Sequence, residues 1–384
     1  MSASVSTTSV SPLTAVPSTI AAVDLAALTF NLRQARQRLP PGCEILAVVK
    51  ADAYGHGALA ITKALAQQGV ARFGVATIQE GAELRDAGIQ AHVLVMGALP
   101  PSQFADLLDY SLTPVIYDPA LATDLAARLG TRPTPYPVHL KVDTGMGRLG
   151  LTSEQVLPLL QSPVFRGPLR LEGLMTHLAD ADNSDPAYTR TQIGRFQAIL
   201  AQVKNAGLPV PLAHAANSAA ILGHPAAHFN AARPGIMLYG YSTAPQGGPA
   251  VPLKPILALR SRIAQVRSLA SGDSVSYNRF FIASRPSKVA VLPIGYADGY
   301  SRALSNRGQV LVQGRRCPVV GRVCMDMTLV DVTDLPTVRP GDDAVLIGRQ
   351  GEEEILATDL AAWSGTIPYE VLCGIGPRVL RVYS

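Results

Sequence analysis

The stretch Ala47–Gly57, AVVKADAYGHG, decides how this chain is read. The apolar run from Ile45 to Val49 has the length and content of a buried strand, and it stops at Lys50. Tyr54, Gly55, His56 and Gly57 follow before a helical pattern resumes. Lys50 therefore closes a strand at its C-terminal end, where the loops of α/β barrels and open α/β sheets converge into active sites. A lone lysine at a strand end is usually just solvated. Here it is followed by a tyrosine and a glycine-bracketed loop opening a helix, where backbone N–H groups favour a phosphate.

Outward from this stretch the chain alternates. Asp24 caps a helix carrying Leu25, Leu28, Leu32, Ala35 and Leu39 and ending at Pro40. Strands are expected at 45–49, 72–76, 92–96, 113–116, 138–142 and 170–175. Helices are expected at 57–68, 78–87, 102–108, 118–130, 153–161 and 186–204, and short pieces near 211–213 and 229–237 complete the count of strands. Roughly eight strands alternating with helices fit an α/β fold of the (β/α)8 barrel type better than an open sheet. A Gly/Pro-dense linker spans 242–252, and beyond it short β-branched segments at 256–267, 288–294, 309–313, 317–323, 327–333 and 343–348 read as a mainly β C-terminal domain. A short helix, 359–363, and a strand, 379–383, close it. The expected organisation is a disordered Ser/Thr-rich tail over 1–17, a barrel over 18–245 whose first strand, 18–23, is free to join the β domain, and a β domain over 246–384.

The chain of 384 residues, 48% hydrophobic and 16% charged, can bury two cores without staples. Its net charge of +5 is spread out, with no basic block, so a nucleic-acid role is not expected. Cys43, Cys317, Cys324 and Cys373 show no metal-ligand rhythm, which suits reduced thiols in a cytoplasmic protein and no metal site. The N-terminus lacks the basic start and apolar centre of a secretory signal, and no apolar run is long enough for a membrane span.

Lysine beside a phosphate cradle points to pyridoxal phosphate held as a Schiff base. Further motifs stand at other strand ends. LKVDTGMGRLG, 140–150, offers Lys141 and Arg148, whose guanidinium suits forked bonds to carboxylate or phenolate oxygens. MTH ends another strand at His177, HAANS places Asn217 and Ser218 at a helix start, and ARPGI places Arg233 before Gly235. In the second domain stand VSYNRF around Tyr277, LPIGYADGY around Tyr296, GRVCMD around Met325 and Asp326, and IPYE around Tyr369.

In order and approximate spacing these motifs resemble those of alanine racemases, over nearly the whole chain from residue 18 onward. The resemblance implies a pyridoxal phosphate-dependent amino-acid racemase that interconverts L- and D-alanine with two bases, Lys50 serving D-alanine and Tyr277 serving L-alanine, and that supplies D-alanine for peptidoglycan. It implies a cytoplasmic homodimer in which Tyr277 reaches the active site of the partner subunit. Lysine and tyrosine titrate ordinarily near 10.4 and 10, so both need tuning downward, which neighbouring positive charge can supply. By the same carry-over Tyr54, Ser218, Gly235, Ile236 and Tyr369 hold the phosphate, with Asn217 beside them. Arg233 meets the ring nitrogen, Arg148 meets the phenolic oxygen and the substrate carboxylate with the N–H of Met325, and His177 bonds Tyr277. Lys141, carbamylated in some relatives, Tyr296 and Asp326 are supporting residues, and Asp182, Arg302, Arg322 and Ile367 match an entry path. Asn278 stands where many relatives carry glycine, a position asparagine tolerates in left-handed backbone. The alternatives are a serine or broad-specificity racemase, a non-catalytic pyridoxal phosphate-binding protein, which would lack Tyr277, and a basic amino-acid decarboxylase, which would lack VSYNRF and GRVCMD.

Overall fold

The computed structural model describes residues 17–130, 133–245 and 250–384. The tail expected over 1–17 lies, except for Pro17, outside the described residues, as does the centre of the expected linker. The described chain forms two compact units.

One unit comprises Ala22–Ala258, Leu356–Ile375 and Tyr383–Ser384. After the strand β1 (Thr19–Val23) and the helix Leu25–Arg38, the eight parallel strands β2 (Glu44–Val48), β3 (Arg72–Val75), β4 (His92–Val95), β5 (Thr113–Ile116), β6 (Tyr136–Lys141), β7 (Leu169–Met175), β8 (Leu212–His214) and β9 (Ala231–Ala232) close into a barrel. Closure runs through Glu44 opposite Ala231 and Ile45 opposite Ala232. The last strand is only two residues because Arg233-Pro234-Gly235 follows, yet Pro234 O still accepts the Val48 N–H at 3.0 Å. The helices between strands obey the expected caps: Asp24 accepts the Ala27 N–H, Asp118 that of Ala120, and Gly130 ends its helix at φ 60°. Thr77 and Glu80 form a capping box. The expected helix at 102–108 divides into a 3-10 turn, Pro101–Gln103, and a helix, Phe104–Asp109. Buried Asn31 donates to Leu238 O and Lys254 O and accepts the Lys254 N–H, tying the segment after the barrel to the first helix.

The barrel interior is of two kinds. Leu46, Leu94, Val115 and Met175 form an apolar cluster with Met96 against it. His139, Glu172, His214 and Arg233 are buried polar residues of β6 to β8 and the end of β9. The helices Ala357–Ser364 and Pro368–Cys373, placed by sequence in the second domain, cluster with the barrel, where the Tyr369 ring lies 5.9 Å from that of Tyr54.

The other unit comprises the described residues up to Ala21, Leu259–Ile355 and Gly376–Val382. Its strands are β10 (Leu257–Arg262), β11 (Gln265–Leu269), β12 (Ser274–Val275), β13 (Phe281–Ile282), β14 (Ser287–Leu292), β15 (Gln309–Val312), β16 (Arg315–Pro318), β17 (Thr328–Asp331), β18 (Asp343–Gln350), β19 (Glu353–Ile355) and β20 (Leu380–Tyr383). One sheet runs β16-β15-β18-β10-β1-β20 with β19 on β18, and a second runs β11-β14-β17. The run 256–267 is thus two strands, β10 and β11. β15 and β16 form a hairpin in which Val312 faces Arg315 across Gln313 (φ 49°) and Gly314 (φ 74°), the two left-handed residues a tight two-residue turn requires.

Candidate active site

Lys50 stands two residues beyond β2, and the four residues after it, Ala51 to Tyr54, all adopt left-handed backbone with φ between 52° and 55°. For residues with a Cβ this costs roughly 1–2 kcal/mol each. The turn is held by named bonds: Ala53 N–H to Val49 O at 2.9 Å, Gly57 N–H to Asp52 O at 2.9 Å, and Ala58 N–H to the Asp52 carboxylate at 2.7 Å. Glu80 clamps it from the neighbouring helix, its two oxygens accepting the Ala51 N–H at 2.7 Å and the Ala76 N–H at 2.6 Å. Strain of this kind, overdetermined by its surroundings, is a mark of functional sites.

The phosphate cradle read into Gly55 and Gly57 is not there. A Cβ on Gly55 would meet Leu372 O at 2.1 Å and one on Gly57 would meet the Tyr383 hydroxyl at 1.8 Å, so these glycines make room for protein. The anion-facing groups gather elsewhere. A cavity of about 380 Å³ is lined by Lys50, Tyr54, Lys141, Arg148, His177, Asn217, Ser218, Arg233, Gly235, Ile236 and Tyr369, all named from sequence, together with Val48, Ala51, Met96, Met175 and Cys373. Four cationic side chains and no carboxylate are among these lining residues.

Each side chain is placed by its local fold. Ser218 opens the helix Ser218–Gly223, capped by Asn217, and its hydroxyl accepts the N–H groups of Gly235 at 3.0 Å and Met237 at 3.3 Å. Where a Gly235 Cβ would lie, the Tyr54 hydroxyl is 2.6 Å away. The Tyr54 ring packs between Tyr239, at 4.9 Å, and Tyr369, and burial pushes its pKa well up. Tyr369 is pushed to about 12, by burial and then by Asp182. Arg148 follows a loop in which the Asp143 carboxylate accepts the N–H groups of Gly145, Met146 and Gly147. Burial, followed by Arg148 and Arg233, brings Lys141 down to about 8.

Arg233 is fully buried and fixed from two sides. Nη1 donates to His214 Nδ1 and His214 O, both at 2.8 Å, and Nη2 donates to Thr176 O at 2.7 Å and Ala215 O at 3.1 Å. These bonds engage all four Nη hydrogens. Nε–H, in a side chain that lines the cavity, is the donor left for a ligand. Arg233 Nη2 also approaches His177 Nδ1 at 3.4 Å. Burial, then Arg233, Lys141 and Arg148, lowers His177 to about 3, so its ring is neutral at pH 7.

Tyr277, Met325 and Asp326 line another cavity, in the β-rich unit, with Ser276, Cys324 and Met327. Tyr277 is 68% exposed in a short turn where Asn278 takes the left-handed φ of 60° that the sequence suggested. Asp326 is bonded by Arg378 at 2.8 Å, and the Tyr296 N–H binds Cys324 O. Of the entry-path residues, Arg322 lies over the Phe280 ring at 3.4 Å and Ile367 is exposed before the helix Pro368–Cys373. Sequence reasoning did not single out Met96, Met175 or Cys373 as cavity-lining, nor Glu80 and His214 as supports. His214 was signalled only by heading the HAANS motif. Among the described residues no cluster could hold a metal ion, and no helix is long and apolar enough to cross a membrane.

A parallel barrel with a lysine at its mouth, a hydroxyl-and-glycine cradle and a buried guanidinium, joined to a β-rich unit, defines a class: barrel enzymes built to hold an anionic, aldehyde-bearing cofactor. Residues 23–243 match the N-terminal domain of alanine racemase and residues 256–383 its C-terminal domain. The alanine racemase of Halothermothrix orenii is 42% identical over 95% of this chain and 96% of its own, and that of Symbiobacterium thermophilum 45% identical over 95% and 97%. The crystal structure of the Enterococcus faecalis enzyme (E.faecalis) superposes with a TM-score of 0.89 at 36% identity, covering 96% of this chain and 98% of that one. That of Bartonella henselae, solved with covalently bound pyridoxal phosphate, gives 0.87 at 32% identity, over 96% and 100%. The chain belongs to the alanine racemase family, whose members are pyridoxal phosphate-dependent isomerases.

Proposed function

We propose that this protein is a pyridoxal phosphate-dependent racemase interconverting L- and D-alanine, with Lys50 and Tyr277 as its two bases. The observation that carries the reading is the cavity itself, with Lys50, Lys141, Arg148 and Arg233 and no carboxylate lining it. Its donor set fits the cofactor: the Ser218 hydroxyl, the Ile236 backbone, Tyr54 and Tyr369 for the phosphate, with Gly235 leaving space and Asn217 beside them, and Arg233 Nε–H for the ring nitrogen. When bound, pyridoxal phosphate supplies an aldehyde for lysine and substrate amines and a ring that takes up the electron pair left by a departing Cα proton.

The chain supplies the rest. Arg148 orients the substrate carboxylate by forked hydrogen bonds, with the Met325 N–H. Lys50 takes or gives the Cα proton on one face, and the Tyr277 hydroxyl of a second copy does so on the other. Neutral His177, its Nδ1 turned to Arg233, offers Nε2–H to that phenol and stabilises it deprotonated. Arg233 does not surrender its proton, so it would bond the ring nitrogen of the cofactor without protonating it, which would keep the charge sink moderate and favour return of a proton to Cα over transamination. Lys141, titrating near 8, has the neutral amine needed for carbamylation, which would place a negative partner beside Arg148.

A homodimer is supported by the exposed apolar side chains of the β-rich unit: Tyr277, Phe280, Ile282, Tyr296, Met325 and Met327. A cytoplasmic role in supplying D-alanine for peptidoglycan follows from the family. The test is a chiral assay of D- and L-alanine, with serine alongside to separate a broader racemase, and, on a separate sample, borohydride reduction that fixes the cofactor on a lysine for peptide mapping. Lys50 should carry the label and Lys50→Ala should lose both directions; Tyr277→Phe should depress turnover of L-alanine most. A label elsewhere, or full activity in Lys50→Ala, overturns the assignment.

A further inference from the structure

Behind Arg233 a line of buried polar side chains continues down the barrel, and the mechanism above does not use it. Arg233 Nη1 donates to His214 Nδ1 at 2.8 Å, and a guanidinium can only donate, so Nδ1 is an acceptor and the neutral ring of His214 carries its proton on Nε2. That nitrogen lies 2.8 Å from His139 Nδ1, which must accept, leaving the His139 proton on Nε2. Both rings are entirely buried, and burial lowers His139 to about 3 and His214 well below its ordinary range, so both are neutral. Of the charged groups acting on His139, Glu172 is foremost. One Glu172 oxygen accepts from Arg72 at 2.9 Å and faces His92 at 3.2 Å, while the other is buried without a hydrogen-bond partner. Space for the His139 ring is made by Gly173, where a Cβ would lie 2.3 Å from Nδ1.

We propose that His139 is a positioning residue for the racemase reaction. By accepting the Nε2–H of His214 it holds that ring in the only tautomer able to accept from Arg233, and so fixes the guanidinium whose remaining donor serves the cofactor ring. The column has one satisfying polarity, set by an arginine that only donates at its head. Removing His139 strands a buried donor on His214. The ring then turns to bring its Nε2–H to another acceptor, which draws Nδ1 away from the guanidinium and releases Arg233 from that side.

This rests on the racemase reading, and the experiment separates the two. Nitrogen-edited NMR of the wild-type holoenzyme, loaded with pyridoxal phosphate, should show both His214 and His139 protonated at Nε2. In His139→Leu the His214 Nε2–H signal should move from its wild-type position, the absorption maximum of the bound cofactor should shift, and kcat should fall about tenfold in both directions with KM within twofold. His139→Gln, which keeps an acceptor, should restore most of kcat. A wild-type His214 protonated at Nδ1 overturns the proposal even if the leucine variant does not fold. An unchanged kcat and absorption maximum in a folded, loaded His139→Leu does so as well. A wild-type protein that fails to racemise alanine refutes the proposed function and leaves the tautomer result to be judged by itself.

Discussion

Replacing Gly235 with alanine tests the cradle at its tightest point. The new Cβ would sit 2.6 Å from the Tyr54 hydroxyl, 3.2 Å from Cζ and 3.7 Å from Val48 Cβ. Comfortable contact begins near about 3.5 Å, so the hydroxyl must retreat by roughly 0.9 Å. The ring has little room for this, because Tyr239 and Tyr369 stand 4.9 Å and 5.9 Å away and Tyr54 is only 8% exposed. Overpacking of this kind costs about 1–3 kcal/mol of stability. A hydroxyl displaced from a phosphate loses a hydrogen bond to a charged group worth about 1.5–3 kcal/mol, which weakens cofactor binding roughly 10- to 150-fold. Titration of cofactor-free protein with pyridoxal phosphate, followed by absorbance, reads the second effect and thermal unfolding the first. Tyr54→Phe should weaken binding to a similar degree while keeping the melting temperature close to the parent's. In the double variant the clashing atom is gone, so the two losses should not add. Strict additivity, or a Kd in Gly235→Ala within twofold of the parent, would refute the placement of Tyr54 on the phosphate.

Ala51→Gly removes a Cβ from an exposed left-handed residue (φ 52°) and should raise the melting temperature slightly, corresponding to about 0.5–1 kcal/mol once the freer unfolded chain is counted; a lowered melting temperature would contradict the strain assigned to the turn. Cofactor-free protein should lose stability as pH falls below about 6.5, because unfolded histidines take up protons that His139 and His177 refuse down to about pH 3 and that His214, held well below its ordinary range by burial, refuses as well. Three such groups give a slope of about 4 kcal/mol per pH unit, read by urea unfolding between pH 7 and 4, and His139→Gln should lower it by about a third. Cys373, exposed and on the cavity wall, should be alkylated by iodoacetamide in cofactor-free protein, slowly because burial raises its pKa, and bound pyridoxal phosphate should protect it. Equal alkylation rates with and without cofactor would place the thiol outside the binding space.

The barrel was legible because its strands are short apolar runs ending at chemistry-bearing residues: Lys50 after β2, Lys141 on β6, His177 after β7 and Arg233 after β9. A strand end fixes the side of the barrel on which a side chain emerges, so eleven of the residues named from sequence could converge on one cavity. The turn after Lys50 was not legible. Ala-Asp-Ala-Tyr has ordinary right-handed propensities, and what reverses it is Glu80, a residue 29 positions away whose carboxylate binds the Ala51 N–H. The two glycines of that stretch were read for an anion because close approach was certain and its partner was not; Leu372 and Tyr383 occupy the space. The helix Pro368–Cys373 was missed because six residues carry too little periodicity to be seen. His139 and Glu172 lie in strands that also carry Lys141 and Arg170, so a polar residue there does not by itself mark the interior; only the closed barrel shows the two facing a common interior.

A pocket wall bearing Lys50, Lys141, Arg148 and Arg233 without an acid is an electrostatic well for whatever dianion the medium offers. Inorganic phosphate and sulfate should therefore compete with cofactor loading, and reconstitution should be faster and more complete in a zwitterionic buffer of low ionic strength than in phosphate. The same anions should protect the empty protein against heat, since any ligand of the folded form stabilises it by mass action. The choice of storage buffer thus becomes a variable in every measurement of how much holoenzyme a preparation contains.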